Sequence, residues 1–175
     1  MTARLFIVYT LSMCGLLSAC QRAPTALDID RLTRLTHTDR FTPTQQLAPS
    51  PQAWPLGSTV CVLYPYQSRE EGRSTGVTSA TVERINNALQ EQGYQGHEGQ
   101  WALVVATPER VDISPLLVDR HSNALSPQEA TARKLVLPAG LEVTPCAPLA
   151  LSQVLKHQVA DRTYFVFASA KTSAP

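Results

Sequence analysis

The polar segment from Gln67 to Thr78 carries residue types that can bind anions. It combines glycine, hydroxyl side chains and arginines, and the candidate ligands are Arg69, Arg73, Ser74, Thr75 and Gly76. It is predicted to join a strand to a helix, where free backbone N–H groups attract anions. It lacks the Gly-Lys-Ser/Thr ending of a phosphate loop and the Gly-x-Gly-x-x-Gly dinucleotide pattern. Glu70 and Glu71 also oppose a phosphate, so a plain mobile loop is the favoured alternative.

A second segment, Asp119-Arg120-His121-Ser122, contains the residue types of a hydrolytic triad. Adjacency in sequence is not triad geometry, and the chain has no Gly-x-Ser-x-Gly motif. The histidines are scattered, without metal-binding spacing, at His37, His97, His121 and His157. We therefore predict no catalytic residues, no metal site and no cofactor, which indicates a protein that is not an enzyme.

The N-terminus holds the most informative cysteine. After Arg4 comes a mostly apolar run over residues 5–17, which has the length of a signal-peptide core and is too short to span a bilayer. The run closes with Leu17-Ser18-Ala19-Cys20. An aliphatic residue, two small residues and a cysteine in this order resemble the lipobox of bacterial lipoproteins.

That resemblance implies a signal peptide over residues 1–19 and a lipidated Cys20, with acyl chains such as palmitate, as the new N-terminus. Two or three long chains hold a protein firmly on a membrane, at about 0.8 kcal/mol per buried methylene. Gln21, rather than Asp, favours the outer membrane and a periplasm-facing position; the inner membrane and the cell surface remain open. The alternatives are an ordinary secretory signal and an uncleaved anchor. Cys14, which follows Ser12-Met13, is interpreted as part of the apolar run.

Two further cysteines, Cys61 and Cys146, remain for a disulfide. A single pair suits an oxidising compartment such as the periplasm. Closing a loop of about 86 residues could contribute roughly 4 kcal/mol by loop entropy. The alternative is two separate thiols, and the absence of Cys-x-x-Cys argues against a redox role.

The charge balance argues against nucleic acid as a partner. The full chain has 15 Lys plus Arg and 14 Asp plus Glu. Removing residues 1–19 removes only Arg4, which leaves 14 charges of each sign. A neutral chain without a basic run lacks the electrostatic footprint of a nucleic-acid-binding protein.

Composition divides the mature chain into two parts. Residues 20–58 are rich in Pro and Thr and predict a disordered tether, which could extend about 100 Å at roughly 3 Å per residue. Within it, residues 27–35 could form one or two helical turns that dock on the domain or on a partner, and a partly ordered linker is the favoured alternative. Residues 59–171 predict a single globular domain, and Trp54 either clamps the tether to this domain or contacts a partner.

Hydrophobic periodicity predicts an α+β domain with a mixed β-sheet and two main helices packed on it. Strands are expected at residues 60–66, 101–107 and 163–168, with a broken strand over 111–118 and strand pieces at 134–137 and 141–143. One main helix is expected to begin near Thr78 and end at Gly93, and the other covers residues 151–159. Ser126-Pro127-Gln128-Glu129 has the form of a capping box and predicts a short extra helix.

These features lead to two expectations about function. The first is an outer-membrane lipoprotein that serves as a non-enzymatic accessory or structural component of a secretion, conjugation or export assembly, with membrane lipid and envelope proteins as partners. The second is a membrane-tethered periplasmic module that binds a ligand or acts as an inhibitor. A pocket would favour the second, and a flat surface with an exposed apolar edge would favour the first.

Overall fold

The computed structural model describes residues 27–71 and 76–171. Its helices are α1 (Ile29–Leu35), α2 (Ser79–Glu91) and α3 (Pro127–Ala132). Its strands are β1 (Thr42–Pro43), β2 (Thr59–Leu63), β3 (Gln100–Ala106), β4 (Val111–Leu117), β5 (Asn123–Ala124), β6 (Leu141–Val143), β7 (Cys146–Pro148), β8 (Ser152–Val159) and β9 (Arg162–Ala170). The α+β class is confirmed. None of the helices in these residues is long and apolar enough to cross a membrane.

The strands form two sheets instead of one. The first sheet has the order β1-β8-β9-β5, and β6 also pairs with β9. The second has the order β4-β3-β2-β7. All pairs are antiparallel except β5 with β9, which is parallel. The two sheets pack face to face, so the domain is a β-sandwich with α2 and α3 on its outer faces.

The side chains between the sheets follow the alternation of the strands. The second sheet contributes Val60, Val62, Tyr64, Trp101, Leu103, Val105 and Leu116, and the first contributes Val154, Phe165 and Phe167. Trp101 is central, with its ring centroid 6.2 Å from that of Phe165 and 6.1 Å from that of Phe167. The residues at intervening positions point outward and form a separate cluster under each helix.

The outward-facing clusters explain where the helices lie. Ile85 and Leu89 of α2 cover the second sheet at Cys61, Leu63 and the small side chains of β3. Ala130 of α3 and Leu125 cover the first sheet at Tyr164 and Val166. The molecule therefore has four layers in the order α2, second sheet, first sheet, α3.

Local capping chemistry fixes the ends of these helices. The Thr78 side chain accepts the N–H of Thr81 at the start of α2, and Gly93, with φ of 66°, follows its end. The expected capping box is present in α3: Ser126 accepts the N–H of Glu129, and the Glu129 carboxylate accepts the N–H of Ser126. Both helix starts are thus confirmed.

Two predicted elements are wrong. The expected helix over residues 151–159 is strand β8, which pairs with β9 from Ser152 to Val159. Its apolar residues serve two faces, because Val154 lies between the sheets while Leu155 packs under α3. The expected strand at residues 134–137 is absent from the described residues, since Lys134 adopts φ of 52° directly after α3 and Val136 is exposed.

Strand β4 is continuous through Pro115 because it lies at the edge of its sheet. The backbone N–H of Val118 donates to Gly99, and the N–H of Thr107 donates to Arg110. In an antiparallel pair, hydrogen-bonded and non-hydrogen-bonded residue pairs alternate. Counted from these two bonds, Pro115 and the opposite residue Ala102 form a non-hydrogen-bonded pair. The missing N–H of the proline therefore faces outward, where it removes no bond from the sheet and blunts the edge against further strands.

The segment over residues 27–58 belongs to the folded domain, which corrects the expected tether and the expected domain start at residue 59. Leu27, Leu32, Leu47 and Trp54 are buried in the cluster between the sheets. Although the composition resembles a linker, a few large apolar side chains suffice to cover the edge of a sandwich. Trp54 clamps this segment to the fold, and its carbonyl accepts a hydrogen bond from Gln45. The rest of the expected tether, residues 20–26, lies outside the described residues.

Helix α1 spans the gap between the two sheets on one side of the sandwich. At its start, the N–H of Leu27 donates to Ser114 Oγ of β4 at 3.1 Å. At its end, the Lys156 N–H of β8 donates to the carbonyl of His37. We call this the α1 side.

On the other side of the sandwich the chain passes from β6 to β7, where the Thr144 N–H donates to the carbonyl of Phe167 at 3.3 Å. We call it the β6–β7 side.

Candidate functional site

The predicted lipidation site, Cys20, and the signal peptide lie outside the described residues. The structure shows that residue 27 is already part of the folded domain. Leu27 is already buried, and its N–H is bonded to Ser114. At most six residues, 21–26, therefore lie between Cys20 and the packed domain.

The predicted Cys61–Cys146 disulfide is present. It joins β2 to β7 on the face that α2 covers, with both residues buried, a sequence separation of 85 and a Cα–Cα distance of 4.1 Å. The N–H of Leu149 donates to Ser58, and that of Val62 donates to Pro145. The cysteines between them are therefore a non-hydrogen-bonded pair, in which opposite side chains lie closest. The bond consequently links directly opposed residues of neighbouring strands.

Glu70 lies beside this disulfide. One carboxylate oxygen of Glu70 and the two sulfur atoms lie within 4.8 Å of one another, a spacing that could suit a metal ion. Both sulfur atoms are committed to the disulfide, however, and a disulfide offers no thiolate ligand. Glu70 is fixed instead by its backbone, because its N–H donates to Asn86 Oδ1 at 2.8 Å and its carbonyl accepts from Asn86 Nδ2 at 3.0 Å. These two bonds fasten the chain after β2 to α2.

The predicted anion-binding loop is described only at its ends. Arg69 is exposed, and Gly76 has φ of 81°, a conformation that favours glycine. Arg73, Ser74 and Thr75 lie outside the described residues. The anion site therefore stays a prediction.

A cavity of about 310 Å³ opens on the β6–β7 side of the sandwich. Ten described residues from three separate parts of the chain line it: Tyr64, Gln67, Glu70, Glu71, Pro127, Gln128, Glu142, Val143, Thr144 and Pro145. Three of these are glutamates and none is basic. Its volume lies at the lower limit of small-ligand sites, and Glu142, Gln128 and Thr144 contribute polar side chains to its lining.

Tyr64 is the most unusual polar group at this cavity. Its ring packs in the central core, and its hydroxyl is buried with no hydrogen-bond partner among the described residues. Burial, followed by the charges of Glu70 and Glu129, raises the pKa of Tyr64 well above the ordinary 10. The phenol therefore stays protonated at neutral pH and retains an unused proton to donate.

Tyr66, two residues later, has a different environment. It is exposed, its φ is 68°, and its hydroxyl donates to Glu98 Oε2 at 3.0 Å. The hydrogen bond to Glu98 raises the pKa of Tyr66. The loop that carries it passes close to Gly96: a Cβ at Gly96 would lie 2.2 Å from the carbonyl oxygen of Gln67. Glycine at position 96 thus permits the path of Gln67 along the cavity.

The Asp119–Ser122 segment forms a turn in which the polar side chains bond to backbone. The Asp119 carboxylate accepts the N–H of His121 at 2.6 Å, and the Ser122 hydroxyl donates to the carbonyl of Leu117 at 2.9 Å. The histidines lie apart: His37 contacts Arg40, and His97 accepts the N–H of Gly99. Across residues 27–71 and 76–171, no group of three potential metal ligands contains a histidine.

Sequence reasoning missed the cavity because its lining comes from segments that are distant in sequence. Glu70 and Glu71 were considered only as residues that oppose phosphate. Gln128 and Glu142 carry no signal in the sequence, since only the packing of α3 and β6 in the folded domain places them in one lining with Tyr64. No protein-family model, curated protein or solved structure matches this chain.

Proposed function

We propose that this chain is an outer-membrane lipoprotein, anchored through Cys20, that serves as a non-enzymatic accessory or structural component of a cell-envelope assembly. The assembly would be of the secretion, conjugation or export type. The observation that carries the proposal is the Leu17-Ser18-Ala19-Cys20 ending of the apolar run. The Cys61–Cys146 disulfide adds support, because disulfides persist in oxidising compartments such as the periplasm.

The position of Leu27 restricts where partners of such a lipoprotein can lie. Seven Cα-to-Cα steps from Cys20 to Leu27 span at most about 25 Å. A domain of this size has a radius of gyration of about 15 Å. An anchored domain would therefore reach partners embedded in the membrane or close to its surface, rather than partners at the end of a 100 Å tether.

The experiment compares two cysteine variants within the same apolar run. Cys20→Ala is expected to abolish incorporation of labelled palmitate and to release a folded domain from the membrane fraction. Cys14→Ala is the matched control, and it is expected to retain both lipidation and membrane attachment. Retention of palmitate by Cys20→Ala would contradict the proposal.

Cross-linking in native membranes then tests the assembly. With wild-type protein at its endogenous level, we expect a small, reproducible set of membrane-proximal envelope proteins. Cys20→Ala should lose these products although its domain remains folded. A wild-type protein that yields only itself would contradict the role in an assembly while leaving the lipid anchor intact.

The carboxylate of Glu142 in the lining of the cavity supports a second candidate function, the binding of a small cationic ligand. Glu142 and Gln128, from separate segments, line it together with Tyr64. Calorimetric titration with spermidine and with arginine amide, compared between wild type and Glu142→Gln, tests this candidate. Glu109→Gln, at an exposed carboxylate outside the cavity, is the control. Saturable binding that Glu142→Gln weakens and Glu109→Gln preserves would favour this function.

A further inference from the structure

The fold holds the chain very close to the predicted lipid. Leu27 is buried, and its N–H is bonded to Ser114 of β4. Only residues 21–26 separate it from Cys20, so the covalent limit is about 25 Å for seven steps of at most 3.6 Å. Whatever path these residues take, Ser114 cannot lie much farther than this from the acyl chains.

The first described residue, Leu27, lies at an edge of the domain, which gives the limit a direction. Ser114 lies on β4, the edge strand of the second sheet, and α1 crosses from there to β8. The α1 side of the sandwich is thus the side that carries the anchor. On β4, Leu117 lies three residues beyond Ser114, about 10 Å away at 3.3 Å per residue.

Leu117 is suited to the boundary between lipid and water. It is 72% exposed, although it is a large apolar residue. Arg120 and His121, both exposed, lie in the turn that follows β4, and the exposed carboxylate of Asp119 accepts the N–H of His121 there. An exposed apolar side chain followed by charged and polar side chains matches the boundary between acyl chains and the headgroups that cap them.

Another exposed apolar residue, Val136, lies between Leu135 and Leu137, which line a shallow pocket together with β6. It is 90% exposed and follows α3, whose cluster lies on the outer face of the first sheet, whereas β4 belongs to the second sheet. The cavity opens on the β6–β7 side, between the start of α3 and β6. The anchor and the cavity therefore lie on opposite sides of the sandwich.

We propose that the edge of β4 around Leu117 lies against the lipid headgroups of the membrane that holds Cys20, and that the cavity faces away from this membrane. The lipid surface is the occupant because only six residues separate Cys20 from Leu27, whose N–H is bonded at this edge. The proposal rests on lipidation of Cys20, as proposed above. It adds an orientation, which a long tether would not impose.

The test uses the full-length lipidated protein in vesicles of phosphatidylethanolamine and phosphatidylglycerol. Leu117→Cys and Val136→Cys are each labelled with the same environment-sensitive fluorophore, and lipids with a spin label near the headgroup serve as quenchers. We expect severalfold stronger quenching at position 117 than at position 136. Equal quenching, or stronger quenching at 136, would overturn the orientation.

A lengthened chain tests the cause of the orientation. Twenty Gly and Ser residues inserted after Arg22 add a root-mean-square span of about 25 Å. The protein should remain in the membrane fraction, while the excess quenching at position 117 falls towards that at position 136. Full retention of the excess would overturn the role of chain length. Palmitate incorporation is measured on every sample, so a missing anchor is distinguished from a wrong orientation.

Discussion

The two sides of the sandwich are closed by different means. On the β6–β7 side the chain itself passes from one sheet to the other, and the Cys61–Cys146 disulfide fastens β7 to β2. On the α1 side, residues 27–54 lie across the gap and are held by buried apolar side chains and hydrogen bonds. Covalent linkage and side-chain packing thus do the same structural task. Of the two, only the covalent linkage can be recognised from the residue types in the sequence.

The largest expected effect comes from breaking the covalent side. Replacing both Cys61 and Cys146 with alanine should lower the free energy of unfolding by about 4 kcal/mol, because the unfolded chain regains the freedom of a long loop. Urea denaturation of the oxidised wild type and the double variant measures the difference. Reduced wild-type protein is the control and should resemble the variant. An unchanged midpoint would show that the disulfide does not support this side.

Weakening the packing on the α1 side is expected to lower the free energy of unfolding somewhat less. Leu32 of α1 is completely buried, and Leu32→Ala should lower the free energy of unfolding by about 3 kcal/mol through lost transfer energy and a cavity. The neighbouring exposed residue gives the control, Thr33→Ala, which should change stability little. Equal effects of the two substitutions in urea denaturation would mean that this segment behaves as a linker.

This contrast shows what could be predicted from sequence. The strands β2, β3 and β9 and the helix α2 carried clear periodicity and local caps, and the unique pair of mature cysteines indicated the disulfide. The sequence did not reveal that residues 27–58 are folded, because prolines and polar residues outnumber the large apolar side chains there. The burial of Leu32 and Trp54 depends on a groove that distant strands build. The cavity was missed for the same reason. Tertiary context, rather than local propensity, also made residues 151–159 a strand, since β9 supplied a partner along their whole length.

On the cavity side, Gly96 packs tightly against the loop at Gln67. A Cβ there would lie 2.2 Å from the Gln67 carbonyl oxygen, so Gly96→Ala should force the backbone apart and cost about 1–3 kcal/mol. Gly57 has nothing within 4 Å of the corresponding position, and Gly57→Ala is the control. Thermal unfolding should separate the two variants. Similar midpoints would mean that the loop at Gln67 yields without strain.

The smallest expected effect concerns the buried hydroxyl at the cavity. Tyr64→Phe removes a polar group that has no partner among the described residues, so stability at neutral pH should rise by about 1 kcal/mol. Tyr66→Phe, at an exposed tyrosine, should leave the unfolding midpoint unchanged. A loss of stability in Tyr64→Phe would show that the hydroxyl makes a favourable interaction in solution.

The same pair of tyrosines predicts a dependence on alkaline pH. Because burial raises the pKa of Tyr64 above 10, the unfolded chain releases this phenolic proton before the folded domain does. The contribution of Tyr64 is therefore constant below pH 10, and it reduces stability as the pH rises above that value. Urea denaturation between neutral and alkaline pH should show a shallower loss for Tyr64→Phe than for wild type. Equal slopes would mean that Tyr64 ionises in the folded domain as an exposed tyrosine does, and that the cavity side admits solvent to the core.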